Sequence, residues 1–320
     1  MKRPLLALLL GFACIAKVAA AADPFPQSPV SLIVPVAAGG GLDTLARAMA
    51  PYLSERWGQP VVVINRPGVG GWVGAVAAAK AAPDGYTLLM AHDAVVVSNK
   101  FLVKDKPLDL EKDLAPVVPL VQANQMLLAT SSVQATDLTG FVALAKANRG
   151  RYSYGSYGPG SPPHLAWAMV EHKEKLDLLN VPYKGIAPVV QAMLGDEVQL
   201  SLASGAIAGK LMEAGRLKAL AVAGADRDPR YPDVKTTVEQ GYPDIQLSIW
   251  HSLFAPGGTP LALRKKIAAD VNTVLKNPDF LKKIPDFMPL GGGPEDLAAR
   301  IDRESTRIKK MIDIAGVTPQ

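Results

Sequence analysis

Ser31-Leu32-Ile33-Val34-Pro35-Val36-Ala37-Ala38-Gly39-Gly40-Gly41-Leu42-Asp43 decides how this chain folds. A short apolar run of strand type ends in a glycine loop, and from Leu42 to Trp57 apolar residues recur at helical spacing. Outward from it, Pro60 to Ile64 reads as a second strand and Trp72 to Lys80 as an alanine-rich helix. Tyr86 to Ala91 reads as a third strand, entered through the Pro83-Asp84-Gly85 turn. This βαβαβ order predicts a parallel sheet with right-handed crossovers.

The same plan begins again after Gly150. Tyr152 to Ser156 reads as a strand, Pro162 to Glu174 as a helix with two prolines in its permitted first turn, and Leu178 to Tyr183 as a strand. Ala187 to Leu194 (helix), Glu197 to Ala203 (strand), Ile207 to Ala214 (helix) and Leu217 to Ala223 (strand) follow. Val117 to Thr130 and Ile245 to Ala255 are extended stretches that carry the chain between the two halves. Helices from Leu261 to Leu275 and from Pro294 to Ala315 then return to the first. The expected fold is α/β and two-lobed, each lobe a mostly parallel sheet flanked by helices, with two crossing strands as a hinge. Residues 23–123 plus 246–320 form lobe 1 and residues 124–245 form lobe 2.

The remaining 22 residues read as an export signal. Met1-Lys2-Arg3 precedes an apolar stretch from Leu5 to Ala16 and a run of small residues, Val18 to Ala22, which is the layout of a secretory signal peptide with cleavage between Ala20 and Asp23. The apolar run is about 12 residues, short of the roughly 20 that span a bilayer, so a soluble, periplasmic protein is expected. Cys14, the sole cysteine, lies inside this signal, and Gly11-Phe12-Ala13 before it lacks the small residues of a lipoprotein site. Disulfides, thiol nucleophiles and cysteine-ligated metals are thereby excluded from the mature chain. Loss of Lys2, Arg3 and Lys17 with the signal lowers the formal charge from +5 to +2, which removes most support for a nucleic-acid or membrane-surface partner. The alternating charges from Pro294 to Lys310 read as solvated helix faces.

Each lobe carries a glycine-rich loop after its first strand: Val36-Ala37-Ala38-Gly39-Gly40-Gly41 in one, Gly155-Ser156-Tyr157-Gly158-Pro159-Gly160-Ser161 in the other. A loop that opens a helix offers unpaired backbone N–H groups and the positive end of the helix dipole, each terminus worth roughly 0.3 to 2 kcal/mol to an anion. In doubly wound sheets the ligand lies outside the carboxyl ends of the strands, so two facing lobes place both loops at one cleft. The bland alternative is that Gly39 to Gly41 turn the chain and Asp43 complements the first helical turn. Neither loop matches a dinucleotide or triphosphate fingerprint. The four histidines, His92, His164, His172 and His251, lack metal-ligand spacing, and no nucleophile elbow surrounds Ser156, Ser161 or Ser204. No cofactor, metal or catalytic residue is expected. His92, just past the third strand, lies on the ligand edge. His164, three residues after the second loop, either faces the cleft or braces the loop. Lys184 is a candidate counter-ion, although a strand-end lysine is more often solvated, and Trp72 and Trp250 read as packing residues.

At these motifs the chain resembles the Bug family, the extracytoplasmic solute receptors of tripartite tricarboxylate transporters. The matching stretches include Val34-Pro35 with Gly39-Gly40 and Asp43 through Arg47, Asn65-Arg66-Pro67-Gly68 with Gly70-Gly71, and Pro83-Asp84-Gly85-Tyr86-Thr87-Leu88. Gly155-Ser156 through Gly160-Ser161 to His164-Leu165, Val181-Pro182-Tyr183-Lys184-Gly185 and Ala255-Pro256-Gly257 with Thr259-Pro260 extend it over the mature length. The resemblance implies a Venus-flytrap binding protein, not an enzyme. It also implies a small organic acid whose carboxylate is gripped by both loops through backbone amides, hydroxyls and ordered water. The ligand residues so implied are Val36, Ala37, Ala38, Gly39, Gly40 and Asp43 in the first loop and Ser156, Tyr157, Gly158, Gly160, Ser161 and His164 in the second; His92 and Ser204 join them from the strand ends. Val36-Ala37-Ala38 replaces the family's usual aromatic and prolines, Gln199 to Ser204 lacks the usual acidic residue, and His251 replaces a glycine. An uncharged wall there favours a plain organic acid over one with an amino group. A monomer is expected, with membrane transporter subunits as partner. A sensor that passes its closed form to a signalling receptor needs the same cleft, and a periplasmic enzyme using Asp43, His164 or His92 is the remaining alternative.

Overall fold

The computed structural model describes residues 25–319. The expected signal peptide, its expected cleavage site and Cys14 lie outside them. In chain order the elements are β1 (Val30–Val34), α1 (Gly41–Trp57), β2 (Val61–Asn65), α2 (Trp72–Ala79), β3 (Thr87–His92), and the short helices α3 (Asp93–Val96), α4 (Asn99–Leu102) and α5 (Leu110–Asp113). The long strand β4 (Leu114–Thr130) follows, then α6 (Leu138–Ala147), β5 (Ser153–Ser156), α7 (Pro162–Glu174), β6 (Leu179–Pro182), α8 (Ile186–Leu194), β7 (Leu200–Ser204), α9 (Gly205–Glu213) and β8 (Leu217–Val222). The chain ends with β9 (Ser248–Pro256), α10 (Leu261–Leu275), α11 (Pro278–Leu281), β10 (Met288–Pro289) and α12 (Pro294–Ile314).

β2, β1 and β3 pair in parallel, as do β6, β5 and β7. These two parallel blocks are the α/β lobes, and antiparallel strands join them. β9 pairs with β3 and β4, while β4 pairs with β9 through Leu114 to Asn124 and with β7 and β8 from Gln125 to Thr130. One strand therefore runs through both lobes. Pro116 and Pro119 would normally break such a strand. Both sit at register shifts against β9, bulges where a missing ladder N–H costs nothing.

The cores follow this plan. Trp167, Phe141 and Tyr154 pack under the second sheet, with Phe141 edge-on to Trp167 at 5.5 Å between ring centres. Leu45, Met49 and Leu53 of α1 and Ile267 and Val271 of α10 cover the first sheet. No helix among the described residues is long and apolar enough to cross a membrane. The expected boundaries differ in places. β7 begins at Leu200, three residues later than predicted, and residues 131–150, to which no element was assigned, contain α6. The alternating charges of α12 are not uniformly solvated: Arg300 and Glu304 have side chains only 14% and 17% exposed, because this helix lies against the crossing strands.

Candidate functional site

The first loop leaves β1 at Val34 and enters α1 at Gly41. Gly39 adopts a φ of +87°, a region that disfavours side chains, whereas Gly40 is extended at φ −72° and ψ 163°. Asp43 holds this shape. Its buried carboxylate accepts the Gly39 N–H (2.8 Å), Arg47 Nε (3.0 Å) and Asn65 Nδ2 (2.8 Å). Asn65 also donates to the Val36 carbonyl and accepts from Arg47 Nη2. The Arg47 guanidinium holds the Asp43 carboxyl down to a pKa of about 2, against desolvation that acts the other way. Asp43 is thus an ionised brace whose oxygens are committed to the loop. Its charge is compensated, so the exposed rim Ala37 to Gly40 stays receptive to an anion. The Gly41, Leu42 and Asp43 amides of the first helical turn point the same way and have no protein acceptor among the described residues.

The second loop is held differently. Gly158 and Gly160 adopt φ of +114° and +73°. Ser161 Oγ donates to the Gly158 carbonyl (2.7 Å), the Gly158 amide makes a long contact of 3.5 Å to Ser156 Oγ, and the Gly160 amide donates to His164 Nδ1 (3.1 Å). His164 is therefore the loop's brace, the second of its two readings from sequence. That bond needs an unprotonated Nδ1, and burial lowers the His164 pKa accordingly. Ser156 is fully buried and Ser161 nearly so, while Tyr157 is half-buried. Pro162 and Pro163 open α7, so this helix start lacks two of the amides that the first one presents.

Both loops reach the carboxyl end of β3. A Cβ built at Gly71 would come within 3.5 Å of Pro35 Cβ and 3.7 Å of His92 Nε2, so His92 lies beside the exit of β1. From the other lobe, a Cβ at Gly160 would meet Leu102 at 2.7 Å, and Tyr157 feels the charge of Asp93, which with burial pushes its phenol up. Asp93 follows His92 directly and was not singled out from the sequence. Burial first, then Glu304, raises its pKa to about 7 despite the Trp250 amide and Arg300. Desolvation lowers the pKa of His92, at the same edge. Ser204 ends β7 and caps α9 without a side-chain hydrogen bond. Before and within β7, Gln199 Oε1 accepts from Ser153 and Ser201 Oγ donates to the Gly155 carbonyl, so both side chains are engaged with β5. His251 lies in register with His92, and burial first, then His92, lowers its pKa to about 3. Trp250 and Trp72 are packed, Trp250 donating to Glu304 at 2.6 Å. Lys184 is exposed. Among the described residues no cluster of His, Cys, Asp and Glu has metal-holding geometry.

Residues 45–317 match the family model described as the tripartite tricarboxylate transporter family receptor. The chain belongs to that family. Protein BugT of Bordetella pertussis is 33% identical over 276 residues, covering 85% of each chain. Rpa4515 of R. palustris, solved with adipate, superposes with a TM-score of 0.76 at 29% identity, over 92% of this chain and all of that one. MatC of Rhodopseudomonas palustris, solved with bound malate, superposes at 0.70 with 30% identity, over 90% of this chain and all of that one. The protein is a solute-binding receptor of the periplasmic Bug type, and its relatives are binding proteins rather than enzymes.

Proposed function

We propose that this receptor captures a small carboxylate-bearing organic acid between lobe 1 (residues 23–123 and 246–320) and lobe 2 (residues 124–245) and delivers it to a tripartite membrane transporter. The observation that carries the proposal is the first loop, where an internally neutralised brace supports a row of unspent amides at the start of a 17-residue helix. The carboxylate sits on the Ala38, Gly41, Leu42 and Asp43 amides, and the second loop closes over it with Tyr157, the Gly158 backbone and Ser204. Ser156, Ser161 and His164 act one layer behind, shaping that lid. His92 and Asp93 form the floor. A bound acid that touches both lobes stabilises the closed arrangement by its differential affinity for it. Adipate and malate, the ligands of two related receptors, support a plain di-acid as the first class to test.

Thermal denaturation of the mature protein against mono-, di- and tricarboxylates, amino acids and neutral sugars tests this. The cognate acid at about 100 times its dissociation constant adds roughly 2.7 kcal/mol to stability. A response to neutral sugars and to no acid would sink the proposal. Gly40→Val is the matched control: φ at Gly40 suits any residue and its Cβ meets only ordinary contacts. The variant should fold normally yet lose at least about tenfold in affinity, or 1.4 kcal/mol, by placing methyl groups on the carboxylate seat.

A further inference from the structure

A second cavity, of about 500 Å³, opens at the hinge. None of the glycine-loop residues lines it. It is walled by both crossing strands at Gln122 and Ser248, by the turn that follows β8, and by one face of α12. Arg300, Arg303 and Arg307 project from that face three, four and seven residues apart, the spacing that aligns side chains along a helix. Arg300 is fixed: it pairs with Glu304 at 2.9 Å, donates to Gln122 Oε1 at 2.9 Å and lies over the Trp250 ring. Arg227, on the opposite wall, is spent on Glu239. Arg303 and Arg307 are not spent. Neither has a carboxylate partner among the described residues, and each makes one long contact to a backbone carbonyl, of Ala299 at 3.3 Å and of Gln246 at 3.4 Å. Facing them, the Ala225 and Asp226 amides have no protein acceptor among the described residues. Asp226 is the one lining carboxylate without an ion pair there, and it opposes an anion.

We propose that this cavity is a second binding site, for a small oxyanion of two or more charges such as a phosphate or a polycarboxylate, held by Arg303 and Arg307 from lobe 1 and by the Ala225–Asp226 amides from the far side of the hinge. Two guanidinium forks next to free amides suit tetrahedral or planar oxyanions. Because the walls belong to both sides of the hinge, occupancy biases the interlobe angle, and the anion and the cleft ligand must change each other's affinity by one common factor.

Calorimetric titration of the mature protein with inorganic phosphate and with citrate, at constant ionic strength, tests the site. Expected is saturable binding of at least one of them, weakened at least about tenfold by the double substitution Arg303→Gln/Arg307→Gln. Asp226→Asn should tighten it, and Gly40→Val in the cleft should leave it unchanged. Titration of the cleft variant separates the two sites, since citrate is itself a carboxylate. Absence of saturable binding in Gly40→Val, or its survival there when the arginine double substitution is added, would each overturn the proposal. Circular dichroism of the arginine double variant checks that its fold is intact, so that a loss there reports on the site.

Discussion

The two glycine loops look alike in sequence and follow equivalent strands, yet they offer a ligand different things. The first is braced by charge, with Asp43, Arg47 and Asn65 closing on one another and on the Gly39 amide, and it keeps the Gly41, Leu42 and Asp43 amides of its helix start for something else. The second is braced by neutral groups, Ser161 and His164, and spends the Gly160 and Ser161 amides on itself, while its helix opens on two prolines. One loop is an anion seat and the other a shaped lid. Glycine content alone does not separate these roles; the hydrogen bonds do.

The largest break in this comparison comes from Asp43→Ala. It strands the Gly39 amide and removes the acceptor that Arg47 and Asn65 share, in a site with the carboxylate only 3% exposed. Arg47 can turn to solvent, so the loss is about 2 to 3 kcal/mol rather than that of a fully buried ion pair. Urea denaturation measures it. A loss below about 0.5 kcal/mol, the range of ordinary surface substitutions, would mean the ionic brace is ornamental. The same brace has an acid limit. A carboxyl whose folded pKa lies below its unfolded value contributes stability that is present above pH 3.8 and lost as pH falls towards about 2.

Much of this was legible beforehand, for identifiable reasons. Helices α7 and α10 fall where proline and periodicity placed them, since Pro162 and Pro260 mark their starts. α6 was legible but unread: Asp137 caps it through the Gly140 amide, and Phe141, Val142 and Ala145 recur on one face. The extent of β4 was not legible, because Pro116 and Pro119 argue against a strand until the bulges are seen. The places of the two loops and of His92 in the fold followed from strand order. Asp93 did not, since a carboxylate beside a histidine carries no pattern and gains meaning only when Tyr157 arrives from the other lobe. The roles of Arg47 and Asn65 likewise depend on β1 and β2 lying side by side.

A smaller and more selective break is His164→Ala, which removes one acceptor from a half-buried amide and costs about 1 kcal/mol. Its signature is in the pH dependence. A histidine whose folded pKa is lowered contributes stability that is full above its unfolded value of 6.5 and declines as pH falls below it, because the unfolded chain then binds more protons. His92 and His251 add to the same decline, the latter down to about pH 3. The wild type should therefore lose stability between pH 6.5 and 5, and the variant should lose less. Equal slopes in the two proteins would show that the lid is not held by the neutral imidazole.

The smallest expected effect, Asp93→Asn, asks whether the floor beneath seat and lid responds to pH on its own account. With a pKa raised to about 7, Asp93 is protonated in mildly acidic solution and becomes an anion near neutrality, a charge that opposes a bound carboxylate. Glu304 reinforces the shift, Arg300 and the Trp250 amide oppose it, and Tyr157 of the other lobe is near enough to feel its charge. Affinity for the cognate acid should fall by less than about tenfold between pH 6 and pH 8 in the wild type, one pKa unit being 1.36 kcal/mol. In Asp93→Asn it should stay level, because the amide keeps its hydrogen bond without acquiring charge. Burial lowers the pKa of His92 and of His164, which moves their titration towards acid and away from that of Asp93. Isothermal titration at the two pH values decides the matter, and a slope that survives in the variant would move the titrating group off the floor and onto the ligand itself.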